Sequence, residues 1–119
     1  MAHILLVDDD ESVRRSLARL LRAYDYEVLE AENAAVALRV LETTRPALML
    51  LDIIMPSHNS LETARRIKAE PGTASLPIVA LTASPPAALS DRVLFTAIMS
   101  KPCDPRFLLE TIERALADR

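Results

Sequence analysis

Glycine and cysteine are nearly absent from this sequence, which contains one residue of each type among 119. Average usage would supply roughly eight glycines, so we expect turns that normally use glycine to be built from other residues. The lone Cys103 excludes an intramolecular disulfide framework and is typical of a reducing compartment. No apolar run approaches the roughly 20 residues of a membrane span, and the first residues do not resemble a signal peptide. We therefore expect a cytoplasmic protein with no membrane partner.

Positive charge is also in short supply, because 14 Lys and Arg face 17 Asp and Glu and the formal net charge is -3. Nucleic-acid binding depends on clustered positive charge, so we expect no direct nucleic-acid partner. Half of the residues are hydrophobic, which excludes a disordered chain. The length predicts one domain over residues 1–119, with no output domain in this chain.

The pattern of apolar residues predicts an alternation of strands and helices. Residues 48–51 form an apolar run without polar alternation, which is typical of a strand buried on both faces of a parallel sheet. Helix starts are predicted at Asp10 or Ser12, at Asn33 and at Ser60, each as an N-cap, and at Pro105 as a first helical residue. The predicted strands cover residues 4–7, 26–30, 47–51, 76–81 and 96–100. A predicted helix follows each of the five strands. The second of these helices ends near Thr44, the third covers residues 61–69, and a short fourth segment covers residues 85–94. The first carries an apolar stripe of Val13, Leu17, Leu20, Leu21 and Tyr24.

Such alternation predicts an α/β fold, a parallel sheet with helices on both faces. Polar residues follow four of the strands: Asp8 and Asp9, Asp52, Thr82, and Lys101. The carboxyl ends of parallel strands share one edge, so we expect these side chains to converge there. Crowded carboxylates repel one another, and an oxygen-only site favours a hard cation such as Mg²⁺. A carboxylate beside such an ion can attack phosphorus and form an aspartyl phosphate.

These residues resemble the receiver domain of two-component response regulators, in the single-domain form typical of chemotaxis regulators. The resemblance rests on the acid pair Asp8-Asp9, on Asp52-Ile53-Ile54-Met55-Pro56, on Leu81-Thr82-Ala83 and on Lys101-Pro102, and it spans the whole chain. It implies a flavodoxin-like doubly wound sheet of strand order 2-1-3-4-5. It also implies a phosphorylation switch that catalyses only its own phosphorylation and dephosphorylation.

The resemblance assigns a role to each matching position. Asp52 is the implied phosphoryl acceptor, and Thr82 and Lys101 are the implied partners of the phosphoryl group. The implied Mg²⁺ ligands are Asp8, Asp9, Asp52 and the backbone carbonyl of Ile54. The implied partners are a sensor histidine kinase or phosphotransfer protein, an output protein and a second copy in a phosphorylation-dependent dimer.

Several residues depart from the family pattern or carry less specific signals. Ile98 occupies the place of a switch aromatic and has no polar tip. Ile54 and Ser84 flank the path of attacking water, and the aliphatic Ile54 offers no hydrogen bond to orient it, which predicts a long-lived phosphoryl group. His58 and the arginines of the first helix are interpreted as solvated residues.

Three alternative functions remain open. Asp8 and Asp10 also spell the Asp-x-Asp of a haloacid-dehalogenase-like phosphatase, in which Asp8 would be the nucleophile. A flavodoxin-like FMN binder is less compatible, because Asp8-Asp9-Asp10 would repel a phosphate. A receiver-shaped interaction module that is never phosphorylated is the third.

Overall fold

Strands and helices alternate along the chain. The computed structural model describes residues 3–52, 60–82, 95–100 and 104–117. Its strands are β1 (His3–Val7), β2 (Glu27–Ala31), β3 (Leu48–Asp52), β4 (Ile78–Thr82) and β5 (Ala97–Ser100). The helices within these residues are α1 (Glu11–Ala23), α2 (Ala34–Thr43), α3 (Ser60–Ala69) and α4 (Pro105–Ala117). None of these helices has the length and apolarity that a transmembrane span requires. The short helix predicted over 85–94 lies outside the described residues.

The five strands form one parallel sheet in the order β2-β1-β3-β4-β5. This order confirms the predicted α/β class and the strand order that the family resemblance implied. All five residues of β3 and of β4 are buried, which explains why these strands read as unbroken apolar runs. Because β1, β3 and β4 lie next to one another in the middle of the sheet, their carboxyl ends share the central part of one edge.

Helices cover both faces of the sheet and create two apolar cores. Alternate strand residues belong to opposite cores, since successive side chains of a strand point to opposite faces. The first core joins the sheet to α1 and α4 through residues that include Leu6, Leu50, Leu21, Leu108 and Ile112. The second core joins it to α2 and α3 through residues that include Val7, Leu51, Leu41, Ile67 and Phe95.

Polar N-caps start the first two helices where the sequence predicted them. The Asp10 carboxylate accepts a hydrogen bond from the backbone N–H of Val13 at 3.1 Å, and Asn33 accepts one from Val36 at 2.9 Å. Each cap satisfies a backbone donor that the first turn of a helix leaves without an intrahelical partner. Ser60 is the first residue of α3 rather than the residue before it, so the predicted third cap is wrong by one position.

Several boundaries differ from the predicted ones. β2 and β3 are each displaced by one residue toward the C-terminus, β5 starts at Ala97, and α2 ends at Thr43. β4 begins at Ile78 rather than at Leu76, because Pro77 has no N–H with which to join the ladder. Val13 and Tyr24, which the periodicity placed on the apolar stripe of α1, are 38% and 59% exposed.

The turn from α1 into β2 shows how the chain manages with one glycine. Asp25 adopts a left-handed backbone conformation with φ of 69°, a region in which glycine is the usual residue and aspartate is tolerated. Gly72 does not have a positive φ. Its missing side chain instead makes room for Arg45, whose Nη2 lies 3.2 Å from where a Cβ would stand.

Candidate functional site

Three carboxylates meet at the carboxyl edge of the sheet. Val7 of β1 is paired with Leu51 of β3. Asp8 and Asp52, which directly follow these two residues in the chain, are therefore neighbours. Together with Asp9 they offer carboxylate oxygens that all lie within 4.8 Å of one another. Asp8 is 1% exposed and Asp52 is 6% exposed, whereas Asp9 is exposed to solvent. The sequence predicted this convergence, and the structure brings the three residues together.

Thr82 stands on the neighbouring strand. Asp52 is paired with Leu81, which places Thr82 one position further along β4 toward the same edge. Thr82 is fully buried and is itself paired with Ser100, the last residue of β5. The two other predicted site residues, Lys101 and Ile54, lie outside the described residues.

Ile98, which holds the place of the family's switch aromatic, packs against the core shared with α2 and α3. It is partly buried and is paired with Ala80 of β4. Phe95, three residues earlier in the chain, is buried in the same core. An aliphatic side chain therefore lies beside β4 at this position, and an aromatic ring is buried nearby.

The segment that follows β1 is fixed by hydrogen bonds to Asp8. The backbone N–H of Asp8 donates to the carbonyl of Ala31 at 3.1 Å, which continues the ladder between β1 and β2. The Asp8 carboxylate accepts the N–H of Asp10 at 2.9 Å, and Asp10 in turn caps α1. The acid cluster is therefore built into the start of the helix.

Arg14 belongs to the surroundings of this site, although the sequence did not indicate it. The predicted solvated position is wrong for this residue, because its side chain is only 11% exposed. Its Nη1 donates to the backbone carbonyl of Asp8 at 2.9 Å, and its Nε donates to Glu30 of β2 at 3.2 Å. Arg15, one residue along, is 69% exposed and pairs with Glu11, as expected for a solvated face. One signal was available: an arginine in the first turn of the following helix, six residues after a strand-end acid, can reach back to the backbone carbonyl of that acid.

The cluster of Asp8, Asp9 and Asp52 consists of oxygen donors only. Mg²⁺ prefers carboxylate oxygens and water and uses few protein ligands, so this donor set fits Mg²⁺. Carboxylates this close also repel one another, and a divalent cation removes that repulsion.

Most of the chain matches known signalling proteins. Residues 4–113 match the response regulator receiver domain family. The protein PilH of Pseudomonas aeruginosa is 30% identical over 122 residues, which cover 98% of this chain and 99% of PilH. The phosphate regulon regulator PhoB of the same organism is 42% identical over 80 residues, 67% of this chain but only 35% of PhoB.

A solved structure has the same fold. The response regulator TrrA of Thermotoga maritima, in complex with Mg²⁺-BeF, superposes with a TM-score of 0.87 at 28% identity, covering 97% of this chain and 99% of TrrA. The chain therefore belongs to the response regulator receiver domains, the phosphorylation-dependent signalling switches of two-component systems.

Proposed function

We propose that Asp52 accepts a phosphoryl group from a phosphohistidine on a sensor kinase or phosphotransfer protein. The observation that carries the proposal is the position of Asp52, nearly buried at the sheet edge with the carboxylates of Asp8 and Asp9 within 4.8 Å. The TrrA structure, which contains Mg²⁺-BeF, supports the same chemistry for this chain.

In the transfer, a carboxylate oxygen of Asp52 attacks phosphorus while the bond between phosphorus and the histidine nitrogen breaks. The electron pair of that bond stays on the imidazole, and no further reactant is consumed. Asp8, Asp9, Asp52 and the backbone carbonyl of Ile54 would hold Mg²⁺, which neutralises charge on the transferring group when bound. The Thr82 hydroxyl donates to a phosphoryl oxygen, and the Lys101 ammonium pairs with another.

The chain thereby catalyses only its own phosphorylation and dephosphorylation. Its output is a change in the surface presented to a partner protein or to a second copy of the chain. The strand pairing favours β5 as the route, because Thr82 is the direct neighbour of Ser100.

The test is the intact mass of the chain after incubation with acetyl phosphate and Mg²⁺, for the native protein and for Asp52→Asn. We expect one added phosphoryl group on the native chain, lost in the variant and after chelation of the metal. Asp104→Asn is the matched control, because Asp104 is an exposed aspartate at the start of α4 and its replacement should leave the adduct intact.

Two results would contradict the proposal. An adduct that persists in Asp52→Asn would transfer the nucleophile to another residue, with Asp8 the first to test. No adduct on the native chain, from acetyl phosphate or from a phosphorylated phosphotransfer protein, would leave an interaction module with the shape of a receiver.

A further inference from the structure

We infer that Arg14 is a positioning residue that holds Asp8 in place for the acid cluster. The metal-binding part of this inference rests on the proposed function, whereas the positioning part concerns the metal-free chain. Arg14 contacts the backbone of Asp8 and not its carboxylate, so it acts through Asp8.

The guanidinium of Arg14 joins two strands and a helix. From α1 it donates at 2.9 Å to the carbonyl of Asp8, directly after β1, and at 3.2 Å to the Glu30 carboxylate on β2. The Arg14 and Glu30 side chains are 11% and 26% exposed. A planar group with several donors in fixed directions is suited to such a double contact, which a lysine ammonium would not reproduce with the same geometry.

Arg14 adds a restraint to Asp8 beyond the hydrogen bonds with Ala31 and Asp10. The backbone N–H of Asp8 is held by Ala31 and its carboxylate by the N–H of Asp10, and Arg14 holds the carbonyl. Removal of Arg14 would leave the Asp8 carbonyl without this donor and would leave Glu30 with the longer contact to Arg22, at 3.4 Å. The peptide after Asp8 could then rotate, and the Asp8 carboxylate would be held less firmly in its direction.

Charge alone predicts the opposite effect on metal binding. A cation near the cluster repels Mg²⁺. If Arg14 acted only through its charge, a variant with a neutral residue at this position should therefore bind the metal more tightly than the native chain. Arg15 separates the two explanations, because it has the same charge one residue away, is 69% exposed and pairs with Glu11 rather than with Asp8.

The experiment compares Arg14→Gln, Arg14→Lys and Arg15→Gln with the native chain. The first readout, without metal, is hydrogen exchange of the Asp10 amide, which donates to the Asp8 carboxylate at 2.9 Å. The amide of Leu50, in the fully buried β3, is the reference for global opening. We expect Arg14→Gln to speed Asp10 exchange relative to Leu50 by about tenfold, Arg14→Lys to do so less, and Arg15→Gln to leave the ratio unchanged.

The second readout is the Mg²⁺ dissociation constant by calorimetry. Loss of a group that orients a metal ligand typically weakens binding by about 10-fold or more, so we expect about 10-fold weaker binding in Arg14→Gln and less than a twofold change in Arg15→Gln. An unchanged exchange ratio in Arg14→Gln, or Mg²⁺ binding as tight as in the native chain, would overturn the inference. Failure of the native chain to bind Mg²⁺ would overturn the proposed function instead, while the exchange ratio would still decide the role of Arg14.

Discussion

The crowding of acids in the site has a measurable cost in the metal-free chain. Asp8 and Asp52 are nearly buried, and their carboxylate oxygens lie within 4.8 Å of each other. Two unit charges at that distance repel by about 3.5 kcal/mol at an effective dielectric constant of about 20. Asp52→Asn removes this repulsion and changes the shape of the side chain very little.

The net gain is smaller than this Coulomb energy. Asp52 has polar partners of its own, and an asparagine satisfies them only in part. We therefore expect Asp52→Asn to raise the free energy of unfolding of the metal-free chain by about 1–2 kcal/mol. Mg²⁺ should stabilise the native chain by mass action and should stabilise the variant much less, so the difference between them shrinks as the metal is added.

Urea unfolding at low salt, in chelator and then in Mg²⁺, measures both effects. Glu110→Gln is the matched control, because Glu110 is an exposed acid of α4 and its replacement removes one negative charge outside the cluster. A variant Asp52→Asn that is no more stable than the native chain in chelator, or that gains as much stability from Mg²⁺, would refute the reasoning. Repulsion between the carboxylates would then not outweigh the interactions that Asp52 makes with its own partners.

Two further predictions concern proton binding and the lifetime of the phosphoryl group. Burial, and to a smaller extent the Glu113 carboxylate, raise the pKa of Tyr26 above 10.0. The stability that this raised pKa contributes is therefore complete below pH 10.0 and is lost as the pH rises through the pKa of the folded state. In Tyr24→Phe, which leaves Tyr26 as the one tyrosine, tyrosinate absorbance should titrate with a midpoint above 10.0, and a midpoint at or below that value would refute the cause. Ile54 and Ser84 predict slow hydrolysis of the phosphoryl group. Ile54→Gln should speed loss of the phosphoryl label about fivefold, because one hydrogen bond to the attacking water would lower the barrier by about 1 kcal/mol. Ile54→Leu is the control, and rapid Mg²⁺-dependent loss of label from the native chain would contradict the prediction.

The fold was largely predictable because its buried central strands appear in the sequence as short runs of apolar residues. β1, β3 and β4 lie in the middle of a parallel sheet, and their apolar runs end where the acids and Thr82 begin. The predicted convergence of Asp8, Asp9 and Asp52 needed only the rule that parallel strands finish at one edge. These features are local in the sequence, and topology adds the rest.

The wrong predictions concern residues whose burial depends on tertiary contacts with parts of the chain that are distant in sequence. Arg14 and Glu30 are 16 residues apart in the sequence. The register of β1 with β2 places Glu30 beside the end of β1, where Arg14 contacts both Glu30 and the Asp8 carbonyl. Periodicity showed which residues of α1 share a face, but it could not show that the ends of this face are uncovered. Val13 in the first turn and Tyr24 at the C-cap lie at those ends and remain exposed.

The order of the strands also determines which parts of the sheet open together. Within the described part of the chain, β1, β3 and β4 each have a strand on both sides, whereas the four-residue β5 has one such neighbour and two half-buried residues. Local opening begins where few buried contacts and few shared hydrogen bonds must be lost. The acids therefore stand on the last cooperative unit to open, and Ser100, beside Thr82, stands on one of the first. Partial unfolding of that edge would leave the acid cluster beside the central strands while changing the surface that a partner meets.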